Sequence, residues 1–249
     1  MDTLTGKAAI VTGGASGIGK AVAEVLAEAD LMGLVIADID GAEAVAKDIG
    51  RRFDTDAVGV ATDVADSAQV EVMVERALGH FQRIDILVNN AGIAPVVEWP
   101  DVTEANWRHV LDVNLNGAFL CALSVLPTMC RQKSGRIVNI SSIDAISGPP
   151  NAAVYNSAKG AVLAMAKGWA KEFAPWNILV NIIAPGEILT PMPLSKMTPE
   201  AIAEKAKTIL LKRYGKPEEI GYAIAFLCSP EADYITGQVL SPNGGSIIG

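Results

Sequence analysis

Short runs of apolar residues alternate along the chain with longer stretches in which apolar residues recur at helical spacing. Six of the runs are rich in β-branched residues and predict strands, at residues 8–12, 34–38, 57–62, 84–89, 136–140 and 178–184. Strands that alternate with helices are typical of βαβ units. Because hydrophobicity is continuous within each run, helices are expected to cover both faces of an open parallel sheet. The pattern therefore predicts an α/β fold.

Length and composition favour a single domain that binds a small molecule. The chain has 249 residues, of which 50% are hydrophobic, enough to bury one large core. Its net charge is -8 and no basic run interrupts the acidic balance, so nucleic acid and anionic membranes are not expected partners. The sequence also predicts no membrane span and no cleavable leader before residues 8–12. A cytoplasmic location is expected.

Neither the cysteines nor the histidines are arranged as metal ligands. The three cysteines, Cys121, Cys130 and Cys228, include no C-x-x-C pair and are expected to be reduced structural thiols. The two histidines, His80 and His109, each lack a second ligand at helical spacing. The sequence therefore predicts no metal site.

The first predicted strand runs into a glycine-rich turn with the sequence TGGASGIG. Gly13, Gly17 and Gly19 lie between that strand and a helix predicted to begin near Ile18. Residues without side chains let backbone N–H groups approach a pyrophosphate at the helix N-terminus. In isolation, such a turn is also compatible with a tight strand-to-helix connection and nothing more. Because other polar segments also follow predicted strands, a composite ligand site is expected at one edge of the sheet.

Asp38 ends the second predicted strand and bears on the choice of cofactor. A carboxylate 19 residues after Gly19 can accept hydrogen bonds from the adenosine ribose hydroxyls and repels a 2′-phosphate. Ala15, Ser16 and Ile39 offer no cation that would favour such a phosphate. These residues predict NAD rather than NADP. A helix-capping role for Asp38 is the alternative.

Tyr155 and Lys159 are four residues apart on a predicted amphipathic helix and share one of its faces. A tyrosine hydroxyl titrates near about 10, and a nearby ammonium lowers that pKa. A phenol tuned in this way can take a proton from an alcohol or give one to a ketone. Ser142 follows the preceding strand and is expected to hold the same substrate oxygen. A tyrosine and lysine at this spacing in isolation would mostly be a surface pair.

Taken together, TGGASGIG, NNAG, Asn114, Ser142, Tyr155, Lys159 and the APG segment at 184–186 resemble the short-chain dehydrogenases/reductases, over essentially the whole chain. The resemblance implies a Rossmann-like, doubly wound parallel β-sheet of about seven strands with helices on both faces. It implies one domain over residues 1–249 and assembly as a homotetramer or homodimer.

The resemblance also implies a role for each motif. Ser142 positions the substrate oxygen and Tyr155 transfers the proton. Lys159 lowers the pKa of the tyrosine and binds the nicotinamide ribose, while Asn114 holds a relay water. The residues expected to bind NAD are Gly13, Ser16, Gly17, Ile18, Gly19, Asp38, Asp63, Val64, Asn90, Ala91, Gly92, Tyr155, Lys159, Pro185, Gly186, Ile188 and Thr190.

The segment at about 186–212 is expected to form a flexible flap over the substrate. It is rich in proline at first and then, over 199–211, has the composition of a helix. Glu187, where the family usually has an apolar residue, and Asp144 are expected to contact the substrate together with Ser142 and Tyr155. Two such carboxylates suit a polyhydroxylated or cationic substrate, although solvent-facing side chains are an equally simple interpretation.

The leading hypothesis is an NAD(H)-dependent oxidoreductase that interconverts a secondary alcohol and a ketone, such as a polyol, sugar, hydroxy acid or cyclic alcohol. A 3-oxoacyl carrier-protein reductase is an alternative with the same catalytic residues, but family members of that activity mostly use NADPH. Family members that reduce alkenes separate the tyrosine and lysine more widely. A non-catalytic NAD-binding sensor or scaffold is the alternative of another class. The intact set of Asn114, Ser142, Tyr155 and Lys159 argues against it.

Overall fold

The computed structural model describes residues 4–95, 97–195 and 197–248. These ranges contain seven strands: β1 Ala8–Thr12, β2 Gly33–Asp38, β3 Asp56–Ala61, β4 Ile86–Asn89, β5 Gly135–Ile140, β6 Ile178–Ile183 and β7 Val239–Leu240. They form one parallel sheet in the order β3-β2-β1-β4-β5-β6-β7. The six strands predicted from apolar runs are confirmed to within two residues at each end. β7 was not predicted individually because its two residues form no run.

Ten α-helices connect and cover the strands in the described ranges. They are α1 Gly17–Glu28, α2 Ala42–Phe53, α3 Ser67–Phe81, α4 Glu104–Leu111, α5 Gly117–Gln132, α6 Asp144–Ser147, α7 Ala153–Phe173, α8 Pro191–Leu194, α9 Pro199–Thr208 and α10 Pro217–Cys228. A π-helical turn, Asp112–Asn116, joins α4 to α5. Such turns are rare in proteins. Where they occur, they often lie at functional sites.

The sheet separates two hydrophobic layers. Helices α1, α2 and α10 pack on one face, where Val11, Ile36 and Val88 point into the core. Helices α3, α5 and α7 pack on the other face, against Ile10, Val35 and neighbouring strand residues. Because successive strand residues point to opposite faces, strands buried on both sides require unbroken apolar runs. The predicted single-domain, Rossmann-like α/β fold is confirmed.

The stretch from α4 through the π-helical turn to α5 is one continuous helix of 29 residues, Glu104–Gln132. By length and composition alone it is apolar enough to cross a membrane, which differs from the sequence expectation. The core helix of a soluble protein passes the same test, and 33% of its most apolar window is buried. Trp107, Phe119 and Leu123 on this stretch are exposed. An apolar face is therefore left uncovered in the single chain.

The predicted helix over 199–211 is too long by three residues. α9 ends at Thr208, and Ile209 adopts extended backbone angles with its side chain buried. Burying Ile209 under the C-terminal segment requires the chain to leave the helix at this point. None of the residues described in α9 itself is buried. Lys196, within the predicted flap, lies outside the described residues.

Candidate active site

The glycine-rich turn folds tightly between β1 and α1. Gly17 has φ of +53°, a conformation that favours glycine, and a Cβ added at Gly19 would lie 2.0 Å from the carbonyl oxygen of Gly13. Ser16 is exposed and precedes α1 with extended backbone, and its side chain makes no capping hydrogen bond. No bulky side chain of this turn therefore blocks the first N–H groups of α1, including that of Ile18. This geometry suits a phosphate group.

The NNAG segment after β4 is fastened to this turn. Asn90 Nδ2 donates to the carbonyl oxygens of Thr12 at 2.9 Å and Gly13 at 3.0 Å. The backbone N–H groups of Asn90 and Ala91 both donate to Thr12 Oγ1 at 3.1 Å. Thr12 is a positioning residue that the sequence reasoning missed. Its only signal was its place at the end of the first strand.

Asp38 lies at the end of β2 against the glycine-rich turn. Its Oδ2 accepts from the Ala15 N–H at 2.9 Å and its Oδ1 from the Ile39 N–H at 2.8 Å. Because α2 begins only at Ala42, after Gly41, the helix-capping alternative for Asp38 is wrong. The carboxylate is therefore held in a fixed orientation at the edge of the sheet.

The end of β3 lies next to Asp38. The Thr62 N–H donates to the Asp38 carbonyl oxygen at 2.8 Å, so that Asp63 and Val64 follow immediately at the same edge. Asp63 Oδ1 accepts from the Ala65 N–H at 2.9 Å and shapes the turn, while Val64 is buried. These two residues border the predicted adenosine end of the site. They contribute the shape of the turn rather than free side chains.

Lys159 is the buried cation of the site. Its residue is 4% exposed, and its Nζ donates to the Ile140 carbonyl oxygen at 2.9 Å at the end of β5. Burial lowers the pKa of Lys159 to about 8. An ammonium with one protein acceptor has two further N–H groups to offer a ligand.

Asn114 lies in the π-helical turn, close to Lys159. Its Nδ2 donates to the carbonyl oxygens of Ile93 at 2.9 Å and Val110 at 3.0 Å. Its Oδ1 is buried, and no described residue donates to it. A Cβ added at Gly92 would lie 2.6 Å from this oxygen and 3.3 Å from Lys159 Nζ. Only glycine fits between this acceptor and the ammonium.

Tyr155 and Ser142 meet beside Lys159. Lys159 Nζ lies 5.9 Å from the centroid of the Tyr155 ring, one helical turn away on α7. Burial raises the pKa of Tyr155 to about 12, against the lowering effect of a hydrogen bond with Ser142. In the free protein, burial is thus the main influence on the pKa of Tyr155. The lowering of this pKa by Lys159 stays a prediction.

The loop after β6 closes the other side of the site. The Pro185 carbonyl oxygen accepts from the N–H of Ile143, next to Ser142, at 3.1 Å. The Gly186 N–H donates to the carbonyl oxygen of Pro242 at 3.0 Å. Ile188 is buried beside Gly215. A Cβ added at Gly17 would lie 3.6 Å from Thr190, so this loop reaches the phosphate turn.

Glu187, which the sequence predicts as a substrate contact, is paired with two side chains of the protein. Its Oε1 lies 3.0 Å from Lys205 Nζ, and its Oε2 accepts from Ser246 Oγ at 2.8 Å. Asp144 is half-buried, and its backbone N–H donates to Ser142 Oγ at 3.0 Å. The sequence reasoning missed Lys205 and Ser246 because no spacing rule relates them to Glu187.

The arrangement fits a nicotinamide dinucleotide. The glycine-rich turn leaves a space that an added Cβ would fill. Asp38 offers acceptors at one end of the site. The buried Lys159 and Asn114 Oδ1 lie at the other end of the site. Such a cofactor supplies or accepts a hydride when bound. Among the residues that the structure describes, no group of three or more His, Cys, Asp or Glu could hold a metal ion.

We expect the burial of Lys159 to make stability depend on pH. The pKa of this lysine is about 8 in the fold and near 10.5 in an unfolded chain, so unfolding takes up a proton between these values. The charged lysine destabilises the fold below pH 8, and the effect disappears as pH rises towards 10.5. Urea unfolding of Lys159→Met and the natural protein should therefore show a free-energy difference that changes by about 3 kcal/mol between pH 7 and 10.5. A difference independent of pH would contradict this.

Several relatives match the chain over nearly all of its length. The 3-oxoacyl-[acyl-carrier-protein] reductase FabG of Thermotoga maritima is 40% identical over 98% of this chain and 99% of its own. FabG of Aquifex aeolicus is 40% identical over 97% and 98%, and the 3-oxoacyl-[acyl-carrier-protein] reductase of Synechocystis sp. is 39% identical over the whole of both chains. The expectation of a dehydrogenase for small polyols, sugars, hydroxy acids or cyclic alcohols is therefore wrong. The oxidation of such alcohols and the reduction of a 3-oxoacyl group use the same catalytic motifs. These motifs therefore could not distinguish the substrates.

A protein-family model described as enoyl-(acyl carrier protein) reductase matches residues 13–246, from the glycine-rich turn to the segment after β7. This match and the full-length relatives agree with the fold and with the motifs gathered at the carboxyl edge of the sheet. The chain therefore belongs to the short-chain dehydrogenase/reductase family, whose members are oxidoreductases that use a nicotinamide cofactor.

Proposed function

We propose that the protein is a 3-oxoacyl-[acyl-carrier-protein] reductase that uses NADH. The observation that carries this proposal is the identity of about 40% over the full length with relatives of that name. These matches cover nearly the whole of each chain, so they include the loops and the flap region as well as the core of the fold. The substrate is then a 3-oxoacyl thioester and the product its 3-hydroxyacyl counterpart.

In the proposed reaction Ser142 and Tyr155 bind the 3-oxo oxygen with their hydroxyl groups. Hydride reaches C3 of the substrate, and the Tyr155 proton passes to the oxygen, so that the ketone becomes a secondary alcohol. A pKa of about 12 keeps the free phenol protonated near neutral pH, as a proton donor must be. Lys159, whose Nζ is near the ring, stabilises the phenolate as it forms.

The family model carries the name of an alkene reduction, whereas the site favours carbonyl reduction. Ser142 lies close enough to Tyr155 to lower its pKa, so the two hydroxyl groups can bind one oxygen atom together. The spacing of four between Tyr155 and Lys159 is the one that the family resemblance links to carbonyl substrates. An alkene has no oxygen at C3 for this pair to bind.

We expect the protein and NADH to reduce the 3-oxobutyryl thioester of N-acetylcysteamine and not the 2-butenoyl thioester. Tyr155→Phe should lower kcat by about 10²- to 10⁴-fold, because the phenol proton is lost. Tyr234→Phe, at a fully exposed tyrosine, is the matched control and should leave the rate unchanged. Faster turnover of the butenoyl thioester, or an active Tyr155→Phe variant, would refute the proposed reaction.

Asp38 supports NADH over NADPH. Both of its carboxylate oxygens accept backbone N–H groups of residues flanking the site, so the charge is fixed where a 2′-phosphate would lie. Asp40, whose Oδ1 accepts from the Gly41 N–H, adds a second carboxylate after β2. A cation at this corner would favour the 2′-phosphate of NADPH, and Ala15, Ser16 and Ile39 do not provide one.

We expect Asp38→Asn to lower the ratio of kcat/KM with NADH to that with NADPH by about tenfold or more. Asparagine keeps one oxygen for the Ala15 N–H but removes the charge that repels the phosphate. Steady-state kinetics with both cofactors measure the ratio, and Asp56→Asn, at an exposed carboxylate at the start of β3, is the matched control. A ratio that Asp38→Asn leaves unchanged would contradict the assignment of NADH.

The exposed apolar side chains of α5 support a homo-oligomer, and the family resemblance favours a homotetramer. Phe119 and Leu123, one helical turn apart on α5, are 44% and 53% exposed, and Trp107 on α4 is 41% exposed. Apolar side chains of this size on a long helix mark an interaction surface. A second copy of the chain covers it by symmetry. The apolar stretch is then a subunit interface, in keeping with a cytoplasmic enzyme.

We expect Leu123→Glu to lower the mass in solution, because it places like charges together in the interface. Light scattering after size-exclusion chromatography should give a tetramer for the natural protein and a smaller species for this variant. Met32→Glu, at a residue 40% exposed before β2, is the control and should remain tetrameric. A monomeric natural protein, or a Leu123→Glu variant of unchanged mass, would contradict the interface.

A further inference from the structure

A buried serine joins the end of β5 to α7. Ser141, which directly follows Ile140, is 2% exposed, and its Oγ donates to the carbonyl oxygen of Lys159 at 2.9 Å. Its backbone N–H donates to the carbonyl oxygen of Ile183 in β6 at 2.8 Å, which continues the parallel ladder by one residue beyond β5. Both the backbone and the side chain of Ser141 are therefore fixed.

The alternation of side chains along β5 explains why this hydroxyl group points towards α7. Ile137 is buried in the layer that the sheet forms with α3, α5 and α7. Residues two apart in a strand share a face, so Asn139 and Ser141 follow Ile137 on this side of the sheet. A hydroxyl group that is buried this deeply needs a hydrogen-bond acceptor, and the backbone of α7 supplies it.

The helix itself does not need this hydrogen bond. Inside an α-helix, the carbonyl oxygen of each residue accepts from the N–H four residues later. α7 continues beyond Lys159 to Phe173, so the Lys159 carbonyl oxygen already has a partner within the helix. Ser141 uses the second lone pair of that oxygen. The bond therefore fixes where α7 lies against the end of β5.

Lys159 is held at both of its polar ends. Its carbonyl oxygen accepts from Ser141 Oγ, and its Nζ donates to the carbonyl oxygen of Ile140 at 2.9 Å. These two partners are consecutive residues of one chain segment, so their separation is restricted by a single planar peptide unit. The lysine is 4% exposed, and packing leaves its side chain little freedom to follow a shift of the helix. Release of the backbone at Lys159 therefore disturbs the seat of the ammonium.

We propose that Ser141 is a positioning residue that holds the Lys159 ammonium at the end of β5, within reach of Tyr155. Ile140 binds the ammonium, Ser141 fixes the helix, and Ser142 binds the substrate oxygen. Lys159 Nζ lies 5.9 Å from the centroid of the Tyr155 ring, and a displacement of about 1 Å within such a site can lower the rate severely. The proposal rests on the proposed function, in which Tyr155 transfers the proton and Lys159 stabilises the phenolate.

The first test is whether the effect of Ser141→Ala on the rate depends on the Lys159 side chain. This variant should lower kcat for the 3-oxobutyryl thioester of N-acetylcysteamine by about tenfold and change KM by less than about twofold. In a Lys159→Met background there is no ammonium to position, so the same substitution should change kcat by less than about twofold. An unchanged kcat for Ser141→Ala, or a tenfold loss that persists in the Lys159→Met background, would overturn the proposal.

Ser229→Ala is the matched control for the loss of a buried hydroxyl group. Ser229 is 3% exposed, and its Oγ donates to the carbonyl oxygen of Phe226 at 2.7 Å. It follows α10, where the chain has returned to the amino edge of the sheet before the parallel strand β7. Because the site lies at the opposite edge, Ser229→Ala should leave kcat unchanged.

Urea unfolding tests the same position without substrate or cofactor. Burial lowers the pKa of Lys159 to about 8 from its ordinary value of 10.5. Ser141→Ala should let the ammonium reach water, which raises this pKa and reduces the cost of the buried charge at pH 7. The variant should therefore destabilise the fold less at pH 7 than at pH 10.5, whereas Ser229→Ala should show no such difference.

A loss of stability that is equal at both pH values for Ser141→Ala would indicate a merely structural role and would overturn the proposal. Failure of the proposed function has a different signature. The natural protein would then not reduce the thioester, while the dependence of the Ser141→Ala effect on pH would remain.

Discussion

The parallel strands are covered by helices on both faces, so their side chains must be apolar along most of their length. Strand residues that meet a ligand can therefore appear only at or just after the ends of the strands. Asp38 follows from β2, Ser142 from β5 and Glu187 from β6, and the shared direction of the strands brings all three to one edge. The site depends on this constraint more than on any single contact.

Burial at this edge shifts the pKa values of Lys159 and Tyr155 in opposite directions, and the proposed reaction uses both shifts. Lys159 lies almost without water, which lowers its pKa to about 8, while burial raises that of Tyr155 to about 12. Both groups are thus held near neutral pH in the forms that a proton donor and its stabilising cation require. Lys205 on α9 is paired with Glu187 of the loop after β6.

Local patterns predicted the fold and the order of the motifs. Ala8–Thr12 was predicted to the residue, because a strand buried on both faces leaves an unbroken apolar run. The end of α9 was predicted three residues too late, because the burial of Ile209 outweighs the helical composition of the segment. The pair between Glu187 and Ser246, 59 residues apart, arises from tertiary packing and has no local signal. The substrate was missed for a chemical reason, because Ser142, Tyr155 and Lys159 serve any secondary alcohol.

Transfer of label measures the proposed reaction and its cofactor together. The protein is given a 3-oxobutyryl thioester with equal amounts of unlabelled NADPH and NADH that carries deuterium at both C4 positions, and the product is examined by mass spectrometry. The account predicts a 3-hydroxybutyryl thioester that carries one deuterium at C3 in most molecules. A product mostly without deuterium, or no 3-hydroxyacyl product, would contradict it.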